Sequence, residues 1–584
     1  MKYPTLYEQA TSRQMVDTFH GYNHNLRIAE GEFFDMKNLT ADHFPMLATR
    51  RLRGTVAKYD NPAGIIAKDS IAVVDGSAVV YNGYRIDMGL SDVAPKQLVS
   101  MGAYLVIFPD KKYLNTADTE DFGDLEATWE AGERTISYAP CSVSGEPYEN
   151  TMIQANEPST PANGDYWVDT SGEQHVLMQY SASSAMWVQI PTVYTKISAT
   201  GIGELFMDYD GVTISGCSYT GEDSMAAQIE ELNATKVIYK RDNDYIVVVG
   251  MLDYAFDQTG GVTVKRSVPD MDYVCEAGNR LWGCKYGLVN GEPVNELYGS
   301  KLGDFKNWNC FLGISTDSWA ASVGSDGQFT AAVNYLGHPT FFKENVIHTI
   351  SISSAGAHQT QETICSGVQK GSWLSPVVAG EILYYKGLTA VYAYDGSQPV
   401  KVSDQFGGVR YRNAVAGAVG GKYYISMQDD SNAWHLFCFD TAKGIWVRED
   451  STQVMMFTSA DDDLYFLKAS GELVSVNGWD GAKEEEIQWE AVSGVQYYRY
   501  AGKKYVSRYN FRIKLDPEAS VKLYIQYDSS GYWEERGTIY GGPLGTVTLP
   551  VIPRRCDHLQ YKLVGNGEFR LFSIARIFEE GSDM

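Results

Sequence analysis

Four stretches carry the reading of this chain: GHPTFFKE (337–344), GEILYYKG (380–387), GKYYISMQ (421–428) and DDLYFLKA (462–469). In each, a Gly or Asp turn precedes a strand rich in Tyr, Phe or Leu, and the turns stand 43, 41 and 41 residues apart. Two of the units run on into a second strand with a similar ending, VYAYDG (391–396) and LFCFDT (436–441). CEAGNRLWGC (275–284) opens the same way, with a longer connection to the next unit. Near the start, IIAKDSIAVVDGSAVVYNG (65–83) and KQLVSMGAYLVIFPDKKYLNTAD (96–118) follow the same plan of apolar strand and turn. A step of about 40–45 residues with four short strands in it is what propeller blades require, because one blade cannot cover its own apolar faces. A β-sandwich of similar strand content gives no reason for a constant step.

Outward from this repeat, the C-terminal end reads as alternating strands. Tyr505, Tyr509, Phe511, Ile513 and Leu515 are apolar between mostly polar neighbours, as are Val521, Leu523, Ile525 and Tyr527, then Leu559, Tyr561 and Leu563. Strict alternation means antiparallel strands with one wet face, hence a sandwich. Between 140 and 270 the step is broken. GDYWVDTSGEQHVLMQYSASSAMWVQI (164–190) reads as a β-meander. Ser224–Leu232 reads as a helix, with Met225, Ile229 and Leu232 on one face, and the strand YIVVVGML (245–252) follows. The expected class is therefore all-β: a β-propeller with an inserted small α+β domain and a C-terminal antiparallel β-sandwich. The expected bounds are an N-terminal arm over 1–55, first blades over 56–139, the insertion over 140–270, the remaining blades over 271–486 and the sandwich over 487–584.

Residues 1–55 show no period of two or 3.6 but hold seven aromatic residues: Tyr3, Tyr7, Phe19, Tyr22, Phe33, Phe34 and Phe44. A segment with aromatics and no core of its own is expected to lie on something else, here a neighbouring subunit or an adjoining ring.

Composition agrees with strands. The 584 residues include 40 Tyr, 22 Phe and 12 Trp, with 56 Gly and 19 Pro as punctuation. The 48 Lys and Arg against 73 Asp and Glu give a formal charge of −25, which argues against a sequence-reading nucleic-acid binder. It does not argue against a negative wall past which DNA slides. The eight Cys (141, 217, 275, 284, 310, 365, 438 and 556) include no CxxC pair, and most sit among apolar neighbours, so neither a zinc site nor a disulfide framework is expected. The first residues lack the apolar centre of a secretion signal, and no apolar run reaches the ~18 residues of a membrane span, so a reducing cytosol is the expected site of synthesis.

The chemical motifs resolve into structural ones. Ser325-DGQFT is similar to the Asp-box turn of sialidase propellers but breaks its order. Asp208-Tyr-Asp210-Gly and Asp461-Asp-Asp463 lack the distant Glu and spaced oxygen ligands of a calcium loop, and read as turns. The Gly clusters at 201–203 and 417–421 precede no helix, so no phosphate cradle forms. Nine His form no HExxH pair, and no GxSxG element occurs. Arg554-Arg-Cys-Asp-His558 reads either as an intersubunit salt-bridge knot or as a charged loop between sandwich strands. The expectation is a protein that is not an enzyme, with no catalytic, cofactor-binding or metal-ligating residue and no cofactor.

GNRLWGC (278–284), ELYGSKLGDFKNWNCF (296–311), VGSDGQFTAAV (323–333), FFKENVIHTIS (341–351), VKLYIQYDSSGYWEE (521–535) and IPRRCDHLQYKLVGNGEFRLFSIARIFEEGSD (552–583) together resemble structural proteins of phage tail modules. The plan of arm, propeller and sandwich resembles the tail nozzle, or packaged-DNA stabilisation, proteins of short-tailed phages. The likeness covers most of the chain outside 140–270 and is one of pattern. It implies a homo-oligomeric ring, sixfold, that extends the portal channel and retains packaged DNA. Its implied partners are portal-adaptor, tail and tail-fibre proteins, with DNA only as non-specific cargo and no membrane segment. Its implied location is the virion tail, after synthesis in the bacterial host cytoplasm. The alternatives are a hub or baseplate protein of a long-tailed phage, and a glycan-binding or glycan-cleaving adhesin.

Overall fold

A computed structural model of the chain describes residues 11–221, 223–353, 356–498 and 502–580. Tyr3 and Tyr7 lie outside them. The architecture is nearly all β, and the repeat seen in the sequence is a ring of seven blades. Six blades are contiguous in the chain: 62–87, 97–124, 273–322, 331–364, 377–401 and 411–450, each a four-stranded antiparallel meander. The seventh takes three strands from 454–475, then Gly54–Lys58 from the N-terminal side as its fourth and Ala482–Lys483 as an outer fifth. A strand from before the first blade thus completes the last one.

The turns that set the 41-residue step are two-residue hairpins between the first and second strands of successive blades. Leu336-Gly337, Gly380-Glu381, Gly420-Gly421 and Asp461-Asp462 all have positive φ at both central positions. That is the type I′ geometry, whose twist matches the strands it joins, and it explains why Gly and Asp recur there. Between blades lie separate apolar cores. Val74, Tyr81, Leu105 and Leu114 fill the space between blades one and two, and Val106, Phe108, Leu281 and Trp308 that between two and three. Ile65, Val73, Met456 and Leu467 join blade one to blade seven and close the ring.

The C-terminal sandwich is built on two long strands, Lys504–Tyr527 and Glu534–Pro550. The first pairs with Phe569–Glu580 through Leu515, then passes to Leu559–Asn566 from Ser520 onward, so one strand joins the two halves of a single ten-stranded sheet that curls towards closure. Its inner face is the predicted alternation with one correction. A register shift between Val506 and Arg508 turns Val506 inward and leaves Tyr505 half-exposed.

The N-terminal arm is where sequence and structure differ most. It lies on its own chain. Thr11–Val16 pairs with Ile574–Glu579, Glu32–Lys37 with Glu490–Ser493, and Leu47–Ala48 with Arg570–Leu571. Phe19, Tyr22 and Phe33 are buried in the core that the sandwich shares with blades five to seven. The missing period has a physical cause: these strands are two to six residues long, and several are covered on both faces, so no alternation can develop. The expected start of the blades at 56 also moves, since 54–58 belongs to the last blade and the first begins at Pro62.

The insertion is longer at its start than expected. Ala127–Glu130 pairs with Thr263–Arg266 rather than with blade two, so the insertion runs from 127 to 266. The helix Asp223–Glu230, the one α-helix among the described residues, packs Met225 and Ile229, with Leu232 just after it, into a core with Ile197, Ile246 and Val264.

Candidate functional site

A propeller that does chemistry usually does it at the mouth of its axial channel, so the axis comes first. The segment 365–376, between blades four and five, crosses it. Leu374 makes a parallel bridge with Val415 of blade six, where its carbonyl accepts the Ala416 amide, and it packs with Ile65 and Met456 of blades one and seven. Trp373 packs against Tyr273 of blade three, with ring centres 6.0 Å apart. A segment that leaves between blades four and five and touches blades one, three, six and seven fills the centre of the ring. Its backbone is fixed from below: the hydroxyls of Ser372 and Ser375, both fully buried, accept the amides of Ala414 and Lys386, and the Tyr423 hydroxyl donates to the Ser375 carbonyl. The sequence signal was a Trp-Leu pair inside a Gly-Ser-Pro stretch, GSWLSP (371–376), which spacing alone reads as a loop.

Ser325, from the Asp-box-like segment, sits in the arrangement nearest to a catalytic one. Its Oγ lies 2.8 Å from Nε2 of His348, whose Nδ1 lies 3.9 Å from Oε2 of Glu362. The order is that of nucleophile, base and orienting acid, but the physical chemistry is wrong for it. The carboxylate is beyond hydrogen-bond reach, so it neither fixes the tautomer nor supports an imidazolium. Burial, aided by the charge of Lys343, holds His348 down at about 4, which makes it a poor proton acceptor at neutral pH. Lys343, itself buried, donates to the Ser325 carbonyl and to Asn295 Oδ1 and lies over the Phe329 ring. The cluster ties the loop before blade four to its second and third strands. Lys386 occupies the matching place in blade five, donating to Gln369 Oε1 and the Gly387 carbonyl, and burial lowers it to about 8.

The Asp clusters are likewise spent on structure. Asp210 is buried against Arg266 at 2.7 Å, and Asp208 accepts from Lys240 and the Arg241 amide. Asp461 and Asp462 form the turn of blade seven, while Asp463 accepts from Ser475, Asn477 and the Leu464 amide. Among the described residues no group of three or more His, Cys, Asp or Glu is placed to hold a metal. The eight Cys are unpaired. Gly203 lies against the Asp242 carbonyl, and Gly420-Gly421 is a hairpin turn, so neither cluster cradles an anion. In the C-terminal cluster Arg554 pairs with Glu534 and lies over Tyr527, and His558 pairs with Asp557 and Ser529, all within the sandwich.

The most heavily built polar region is one that the sequence did not mark: the junction of propeller and sandwich. Arg53, buried, donates to Glu449 at 2.5 Å and Asp450 at 2.6 Å on the outer strand of blade six, and Arg50 pairs with Glu484 at 2.7 Å. Asp35 accepts from Arg448 at 2.5 Å, Lys422 pairs with Asp42, and the Asn38 amide donates to the Glu449 carbonyl. Burial opposes ionisation of Asp450, but Arg53 and the hydroxyl and amide of Thr452 outweigh it and hold the carboxyl at about 2. The partners in each pair are 380 to 434 residues apart in sequence, which is why spacing could not show them.

No family model matches the chain, and no curated protein does. Among solved structures it is similar to BamB from Moraxella catarrhalis, at 10% identity and a TM-score of 0.31 over 72% of this chain and 96% of that one. It is also similar to the extracellular domain of the putative hybrid two component system BT4673 from B. thetaiotaomicron, at 10% and 0.23 over 92% and 98%. A third is exo-beta-1,3-galactanase from Phanerochaete chrysosporium, at 9% and 0.22 over 52% and 94%. Likeness of this size says nothing about activity. Among the described residues no helix is long and apolar enough to cross a membrane.

Proposed function

We propose that this chain is a structural subunit of a phage tail, a ring-forming nozzle that continues the portal channel and retains packaged DNA. The observation that carries the reading is the way the chain closes on itself. Its first and last described strands pair with each other, its propeller is shut by a strand from before the first blade, and buried ion pairs lock propeller to sandwich. A body so closed, with its axis filled by Trp373 and Leu374, is suited to holding a position under load. The resemblance of 278–351 and 521–583 to tail-module proteins supports the same conclusion. Because the propeller axis is filled, DNA in this reading runs between subunits, along the axis of the ring. The test is genetic and biochemical: particles made without this chain fill with DNA and lose it, and intact particles contain the chain in fixed copy number. Particles that lack the chain yet retain DNA and infect normally would overturn the proposal.

A further inference from the structure

The strand Glu534–Pro550 pairs with Lys504–Tyr527 along one side, and among the described residues no strand pairs along its second edge. The outer strand of blade six, Ile445–Asp450, is a useful contrast, because the N-terminal strands cover it. Of the 17 residues of the edge strand only Ile539 and Leu549 are buried. Tyr540 is 75% exposed, and Ile552 just beyond the strand is 73% exposed.

Sheet edges in soluble proteins are normally blunted by Lys, by other charges or by Pro. Here residues 537–553 contain no Asp, Glu, Lys, Arg or His, in a chain of formal charge −25. Pro543 and Pro550 bound the segment Leu544–Leu549 and leave its amides intact. The charges that flank the stretch are satisfied inside the subunit, since Arg536 and Arg554 both pair with Glu534.

These facts select the occupant. Two copies that each carry −25 repel wherever their ordinary surfaces meet, so the contact that joins them must be a surface without net charge. At about 3.4 Å per residue the strand offers ~55 Å of edge, and on the order of 600 Å² per partner with its side chains, near the ~800 Å² of a standard interface. We infer that the outer edge of Glu534–Pro550, from Thr538 to Ile552, is the contact face for a second copy of this chain. The inference rests on the ring reading above and names one of the two faces that meet in it, since a closed ring of more than two copies joins unlike faces.

Sedimentation velocity of the full chain across a concentration series tests it, with thermal melts as the check on folding. The variant is Tyr540→Lys with Thr546→Lys, both at exposed positions; the control is Thr360→Lys with Gln361→Lys on the outer strand of blade four, His358–Ile364, also exposed. The expected result is an assembly in the wild type and control, and monomer, or at least about tenfold weaker association, in the variant at unchanged melting temperature. An assembly equally strong in the variant overturns the edge and leaves the ring standing. A dimer that goes no further, and that the variant abolishes, upholds the edge and overturns the ring. A wild type that stays monomeric at every concentration overturns both.

Discussion

Trp373 shows how much one side chain decides here. It is half-buried, packs on Tyr273 and stands on the segment that crosses the propeller axis. Trp373→Ala should cost about 2 kcal/mol, less than the ~3–5 of a fully buried Trp, and a chemical denaturation curve measures it. Arg53 is the second such residue. Glu449→Ala leaves that guanidinium buried with Asp450 as its remaining ion-pair partner, and should cost about 3 kcal/mol, the low end for a broken buried pair. Asp450 also fixes a pH dependence. Its folded value of about 2 lies below the ordinary 3.8, so its contribution is fully present above pH 3.8 and is lost as pH falls towards 2. The stability gap between wild type and Asp450→Asn should therefore narrow over that window; a gap unchanged down to pH 2 would contradict the assignment.

At the scale of elements, the strand Gly54–Lys58 and the strands before it hold the molecule closed. A Cβ on Gly54 would meet the Asp480 carbonyl at 1.9 Å, so Gly54→Val should open blade seven and lower the melting temperature by many degrees. Hydrogen exchange on isolated subunits should find the amides of Glu32–Lys37 protected, because they pair with Glu490–Ser493 of the same chain. Fast exchange there would mean that the arm needs a neighbour after all. The insertion is a separate matter. Ala127 and Arg266 face each other in register, so replacing 128–265 by a short turn should leave a cooperatively folding propeller and sandwich. What the sequence made legible follows the same division. Blades four to seven announced themselves because each repeats a type I′ turn before an aromatic strand, as at Gly337 and Gly421. The sandwich did so because Phe511, Ile513 and Leu515 alternate. The arm, the closing strand and the Trp373 plug did not, because their partners stand far off in sequence and their strands are too short for a period. The Arg53 and Asp450 contacts were silent for the first of these reasons.

For the whole molecule, charge is the property that the nozzle reading must use. Lys and Arg along a conduit would each hold a phosphate, and their number would hold DNA fast. A ring of subunits at −25 apiece makes instead a repulsive sleeve, effective within the ~8 Å over which the field survives physiological salt. The carboxylates of Glu485, Glu486, Asp516, Glu518 and Glu568 cluster in one groove at the end of the sandwich and are candidates for that wall. The measurement that tests the account most directly is a single-particle reconstruction of this chain in the assembled tail. The expected result is a closed ring with neighbouring copies in contact along Glu534–Pro550, propeller axes filled, and a lumen richer in Asp and Glu than in Lys and Arg. A chain standing alone on the tail surface, or a lumen lined mainly by Lys and Arg, would contradict it.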